Sequence, residues 1–249
     1  MLSRADIKYV NSLQNKKYRK IEHAFLVEGL KNVSELLRSD FEILRVFCSE
    51  RVADELHVLT STLPISLEIV SEKDLSQMGS LENNQTALAV ARMKDDSLPE
   101  TLLSENLTLL LDNINDPGNL GTIIRMADWY GIKNMICSTD TVDLYNPKVI
   151  NATKGSFARV NVAYRELSPI IEQYPHANVY AACLEGESIY TVPKRFPAFL
   201  IVGNESNGIR TELLGIASQK VHIPRRGTAE SLNVGVATGI LIDRLLGES

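Results

Sequence analysis

The sequence predicts an α/β protein in two parts: a small N-terminal α/β domain and a larger C-terminal domain around a mostly parallel sheet. Three observations carry that prediction. Apolar, strand-like runs alternate with helical patterns along the whole chain. The polar, proline-broken stretch Lys94-Asp-Asp-Ser-Leu-Pro-Glu100 interrupts the alternation once. Past it, the apolar runs become continuous, as in strands covered on both faces.

In order, Ala5 to His23 forms a basic helical stretch, followed by a short strand, Phe25 to Val27, and a helix starting near Leu30. Strands are expected at Ile43 to Cys48, Leu67 to Val70 and Ala87 to Arg92. Helices at Arg51 to Leu59 and Glu72 to Met78 separate them. The expected division is residues 1–93, a linker over 94–104, and 105–249. Leu107 to Leu111 opens the second domain, and Thr122 to Tyr130 is a helix stopped by Gly131. Asn134 to Ser138 then completes a βαβ unit. Further strands fall at Ala158 to Val162, Val179 to Cys183, Ala198 to Val202 and Lys220 to Ile223. The last helix, Leu232 to Leu246, is apolar on nearly every side, so it needs burial by its own sheet or by a second subunit.

With 249 residues, 44 % hydrophobic and 23 % charged, the chain can bury a real core. It carries no signal-peptide pattern and no apolar run near the roughly 20 residues of a membrane helix. Cys48, Cys137 and Cys183 are odd in number and widely spaced, which fits reduced thiols in the cytoplasm and neither a disulfide framework nor a metal site. A net charge of −5 argues against coating nucleic acid by bulk electrostatics. The charge is unevenly spread, however. Lys16, Lys17, Arg19 and Lys20 cluster near the N-terminus, and Arg225-Arg226 form a second basic spot. Each cluster is either a solvated face or a local phosphate-binding patch.

Three turns rich in glycine and asparagine lie where apolar runs hand over to helical patterns. They are Asn113-Ile-Asn-Asp-Pro-Gly-Asn-Leu-Gly121 running on to Arg125, Val202-Gly-Asn-Glu-Ser-Asn-Gly208, and Ile223-Pro-Arg-Arg-Gly-Thr-Ala-Glu-Ser-Leu-Asn-Val234. At the C-terminal ends of parallel strands such turns collect ligands, because helix N-termini and loop amides point there. No G-x-G-x-x-G and no G-x-x-x-x-G-K-S/T is present, so the known phosphate cradles do not fit. Structural readings stand beside the functional one. Arg125 could pair with Asp128 or Asp112, Glu205 could partner a helix N-terminus, and Ser231 could be an N-cap.

In order and spacing, the three turns resemble the three motifs of the SpoU/TrmH branch of the SPOUT RNA methyltransferases. Asn146-Pro-Lys-Val-Ile-Asn-Ala-Thr-Lys-Gly155 is similar to the segment that family carries between its first two motifs. Phe25-Leu-Val-Glu-Gly29 after a basic helix looks like the substrate-binding domain often found ahead of it. The resemblance implies an α/β domain with a deep trefoil knot, an exception to the rule against knotted chains. It also implies a homodimer formed through that domain, S-adenosylmethionine as cofactor, and methyl transfer to a ribose 2′-hydroxyl of ribosomal or transfer RNA. Carried over, Asn119, Arg125, Glu205, Ser231 and Asn233 match the catalytic and site-shaping positions. Gly203, Ile223 and Leu232 match the cofactor cradle. Lys16, Lys17, Arg19, Lys20, Arg225 and Arg226 are the expected RNA contacts.

Departures from the family pattern are the Arg225-Arg226 pair, Gly235 in place of a more usual serine, and Lys154 at a position often apolar. The two-domain layout resembles the family's ribosomal members more than its compact transfer-RNA ones, which implies ribosomal RNA over transfer RNA. The competing reading is a non-catalytic RNA-binding assembly factor with the same knotted domain, against which the complete motif set argues. A Rossmann oxidoreductase lacks its glycine fingerprint.

Overall fold

The computed structural model describes residues 2–80, 84–98 and 107–247, so the expected linker over 94–104 lies outside the described residues from 99 onward. The first part runs α1 (Arg4–Ser12), α2 (Lys16–Glu22), β1 (Ala24–Glu28), α3 (Leu30–Leu37), β2 (Ile43–Cys48), α4 (Ala53–Thr60), β3 (Leu67–Ile69), α5 (Glu72–Met78) and β4 (Ala87–Arg92). It continues with β5 (Leu107–Asp112), α6 (Pro117–Trp129), β6 (Asn134–Cys137), α7 (Pro147–Thr153), β7 (Asn161–Tyr164), α8 (Leu167–Glu172) and β8 (Asn178–Ser188). Last come β9 (Ala198–Gly203), α9 (Thr211–Ile216), β10 (Gln219–His222) and α10 (Val234–Leu246).

The chain packs as two compact units that do not follow one cut in the sequence. Residues 1–95 join residues 143–159 in the first, and 96–142 join 160–249 in the second. The first unit holds a four-stranded sheet in the order β1-β4-β2-β3, antiparallel except for the β2–β3 pair. Alternation along β1 sends side chains to two covered faces. Leu26 joins Val10, Leu13, Phe47, Leu75, Met78 and Leu88 in one cluster. Phe25 meets an aromatic group instead. Its ring lies 5.5 Å from Phe41, 4.5 Å from Tyr145 and 6.1 Å from Phe157. Tyr145 and Phe157 come from the 143–159 segment, which the linear sequence gives no reason to assign here.

The expected single basic helix is two. Ser3 and Asp6 form a capping box at the start of α1. Asn15, in extended conformation, then caps α2 by accepting from the Lys17 amide, and an N-cap cannot itself be helical. His23 ends α2 at a positive φ of 49°.

The second unit is a six-stranded parallel sheet in the order β10-β8-β9-β5-β6-β7. All six residues of β5 are buried, and so are Ala198 to Val202 of β9. These central strands have neighbours on both edges and cover on both faces, which is why they read as unbroken apolar runs. The expected strand at Ala158 to Val162 lies a few residues later, at Asn161–Tyr164, because Ser156–Ala158 is a 3-10 turn.

Candidate functional site

Because the sheet is parallel, the three turns leave β5, β9 and β10 at the same end. The first is not a glycine loop. Asp116 caps α6, its Oδ1 accepting from the Asn119 amide at 2.8 Å, with Pro117 at the first helical position. Gly118, Asn119 and Gly121 therefore lie inside α6, which begins earlier than the expected Thr122. Proline pre-sets the helical φ, and an orphan amide turns to the Asp116 carboxylate.

The second turn folds tightly on itself. Asn204 bridges Gly208, and its Oδ1 accepts from the Ser206 amide at 2.7 Å. A Cβ on Gly203 would lie 2.4 Å from the backbone of Gly208, so only glycine fits there. Asn204 Nδ2 donates to the Asn113 carbonyl at 2.9 Å, tying this turn to the first.

Asn233 closes the third turn. Its Oδ1 accepts from the amides of Gly235 (3.0 Å) and Val236 (3.3 Å), making it the N-cap of α10. The cap is thus Asn233, not Ser231, and α10 starts at Val234 instead of Leu232. The Asn233 Nδ2 donates to Asn119 Oδ1 at 2.7 Å and to Glu205 Oε1 at 3.0 Å. Glu205 Oε1 also accepts from the Val234 amide at 3.1 Å. One asparagine amide, with donors and acceptor all engaged, thereby joins the three turns. Glu205 does partner a helix N-terminus, but that of α10 and not of the helix following it in sequence.

Helices α6 and α10 lie side by side in the same direction. A Cβ on Gly235 would stand 2.8 Å from Thr122 Cγ2, and one on Gly239 3.3 Å from Met126 Sδ. Tyr130 donates to Asp243 Oδ1 at 2.9 Å. These contacts advance together along both helices, so both N-termini meet at the Asn119–Asn233 junction. Two positive dipole ends there favour negative charge, which the Asp116 and Glu205 carboxylates supply to the Asn119 and Val234 amides.

Arg125 is exposed on α6 and makes no hydrogen bond or ion pair among the described residues. Its expected alternative partner Asp112 is fully buried and taken by Arg210, whose Nε donates to Asp112 Oδ1 at 2.6 Å and whose amide donates to Oδ2 at 2.8 Å. This pair anchors the second turn beneath the site, and sequence reading missed it. The available signal was an acid ending the apolar run Leu107 to Leu111. Ser231 is exposed and has no hydrogen-bond partner among the described residues. Leu232 is 47 % exposed and Ile223 partly so, leaving apolar surface uncovered beside the junction's loops.

The basic clusters divide. Arg225 is exposed and donates to the Ala229 carbonyl at 3.1 Å; Arg226 is exposed too. Lys16, Lys17 and Lys20 are exposed on α2. Arg19 is not an RNA contact. Its side chain is 3 % exposed, donating to the Leu13 carbonyl at 3.0 Å, the Gln14 carbonyl at 2.8 Å and Asp143 Oδ2 at 2.7 Å. Burying a guanidinium is costly unless it is paired, and although Nε is left without a partner, the bonds from the two terminal nitrogens hold it inside.

The family model described as the SpoU rRNA Methylase family matches residues 106–243, and that of the MRM3-like substrate binding domain matches residues 4–89. Among relatives, the 23S rRNA (guanosine(2553)-2'-O)-methyltransferase RlmP of Bacillus subtilis is 32 % identical over 246 residues, 97 % of this chain and 96 % of the relative. The 23S rRNA (uridine(2479)-2'-O)-methyltransferase of Streptomyces viridochromogenes is 28 % identical, covering 90 % of this chain and 77 % of that one. The solved structure of an AdoMet-bound rRNA methyltransferase from Sinorhizobium meliloti superposes with a TM-score of 0.88 at 28 % identity, covering 98 % of this chain and 96 % of that chain.

Proposed function

This chain belongs to the SpoU rRNA methylase family, and from that premise we propose its function: S-adenosylmethionine-dependent 2′-O-ribose methylation of RNA, with ribosomal RNA as substrate. The observation that carries this reading is the Asn119–Asn233–Glu205 junction, which gathers three strand-end turns at two helix N-termini. The two relatives named above act on a guanosine and a uridine, so the ribose chemistry is shared and the target base is not.

The residues present suit the cofactor. Leu232 and Ile223 offer uncovered apolar surface, and Gly203 lets the second turn close tightly on the Gly208 backbone. S-adenosylmethionine supplies, when bound, an electrophilic methyl on a sulfonium sulfur. What is left to the protein is chiefly to align the ribose oxygen and assist loss of its proton. We assign Arg125 to an RNA phosphate beside the reacting ribose. A guanidinium's pKa is too high for an easy base, whereas as a clamp it stabilises the oxygen as negative charge develops. Its lack of a protein partner among the described residues supports that role. Asn119, Glu205 and Asn233 hold the floor of the site, and Ser231, on the same loop, contacts the ribose. Lys16, Lys17, Lys20, Arg225 and Arg226 bind the RNA backbone.

We further propose a homodimer through α6 and α10, a trefoil knot at the end of the sheet, and a cytoplasmic location. Trp129 and Val236, 82 % and 50 % exposed on these two helices, support the dimer. That β10 follows β9 in the chain yet pairs in parallel with β8 at the sheet edge supports the knot. Three unpaired cysteines suit a reducing compartment, and no described helix is long and apolar enough to cross a membrane.

The test is Arg125→Ala. Methyl transfer to ribosomal RNA from a strain lacking the gene is expected to vanish while S-adenosylmethionine affinity, measured by calorimetry, stays within a few-fold. Equal loss of cofactor binding would move Arg125 into the cradle and overturn the clamp. Mapping 2′-O-methyl positions in ribosomal RNA with and without the gene identifies the nucleotide.

A further inference from the structure

We propose that α2 is a clamp for single-stranded RNA that crosses the helix, in which Tyr18 on one flank stacks on an unpaired base while Lys17 on the outer face and Lys16 and Lys20 on the other flank hold phosphates of the same strand. The inference rests on the RNA reading above and deepens it.

A seven-residue helix is too short to persist alone in water, so something must hold α2 in place. Arg19 does this. Its guanidinium reaches inward to two carbonyls and Asp143, while Asn15 caps the first turn. Once Arg19 is fixed inward, helical spacing sends Lys17 and Ile21 directly outward, with Lys16 and Lys20 on one flank and Tyr18 on the other. All five are exposed, Tyr18 at 43 % and Ile21 at 63 %. Neither the three lysines nor the Tyr18 hydroxyl has a side-chain partner among the described residues. Glu22, the single acid on α2, sits at its end, on the side of Tyr9, whose hydroxyl pKa burial and then the Glu22 charge push upward.

Three uncompensated cations on a chain of net charge −5 mark a local polyanion site. The exposed aromatic ring across the helix from Lys16 and Lys20 narrows the choice. Duplex RNA is held through its phosphates and 2′-hydroxyls and keeps its bases stacked inside, whereas a single strand or loop exposes base faces that stack on tyrosine. An acidic protein would satisfy the lysines but give the ring no special partner.

The test uses the full-length protein, a labelled unstructured oligoribonucleotide of about 20 nucleotides and a duplex RNA of equal length. Wild type is expected to prefer the single strand. Tyr18→Ala should weaken single-strand binding about tenfold, the scale of one lost base stack, and leave duplex binding unchanged. Tyr18→Phe should stay within about twofold of wild type, because the ring and not the hydroxyl carries the contact. Replacing Lys16, Lys17 and Lys20 by glutamine should make the salt dependence of single-strand binding shallower by about 2 in log–log slope. Unchanged S-adenosylmethionine affinity and melting temperature establish that the variants fold. If Tyr18→Ala binds the single strand as wild type does, or weakens both probes alike, the clamp is wrong while RNA methylation stands. If wild type binds neither probe and methylates no RNA, the functional reading itself has failed.

Discussion

Asn233 shows how much one side chain can settle. Its carbonyl oxygen caps α10 while its amide nitrogen bonds both Asn119 and Glu205. Aspartate would keep the cap but lose both donors and set a carboxylate against Glu205, so shape alone does not explain the choice of residue. Asn233→Ala is expected to cost about 1 kcal/mol in stability from the lost cap. It should also cut methyl transfer far more than that figure implies, because Glu205 and Asn119 lose their common partner. Paired measurement of chemical denaturation and single-turnover rate checks this. A variant with full rate despite the lost stability would reduce Asn233 to a cap. The residue type was legible in the sequence, but its partners were not, since Asn119, Glu205 and Asn233 are far apart in the chain.

At the level of elements, α6 and α10 approach closely because glycines face Thr122 and Met126. A Cβ at position 235 would find no room against Thr122 as the helices stand. Gly235→Ala is expected to destabilise the protein by about 1–3 kcal/mol through overpacking. Trimming the facing residue with Thr122→Ser should restore part of that loss, which a double-mutant cycle on thermal unfolding measures. Strands β5 and β9 were plain in the sequence as apolar runs. The start of α6 was not, because a proline and two glycines among its first five residues imitate a loop until Asp116 is seen accepting from the Asn119 amide.

For the whole molecule, the main surprise is the membership of the first packing unit. Residues 143–159 lie inside the stretch matched by the methylase family model, yet they pack with residues 1–95. Asp143 neutralises buried Arg19, Asn151 Oδ1 accepts from Asn32 Nδ2 at 3.3 Å, and Phe157 lies 5.9 Å from Phe41. A cut near residue 94 would therefore uncover the aromatic face of β1. Phe157→Ala is expected to lower stability by about 3–5 kcal/mol, a large share of the few to fifteen that a domain has. Thermal unfolding of the full-length protein reads this out, and a negligible shift would mean that 143–159 contributes little to the first unit.

The sequence by itself determined the alternation of strands and helices, the parallel character of the central strands and the three turns, because periodicity, apolar runs and turn chemistry are properties of neighbouring residues. Tertiary structure alone decided that Arg19 is buried, that Asp112 belongs to Arg210 and that Asn233 binds Asn119 and Glu205. A charged or amide side chain gives no local sign of its partner. Its role is fixed by whichever distant group the fold brings within hydrogen-bond distance and by how much water remains there.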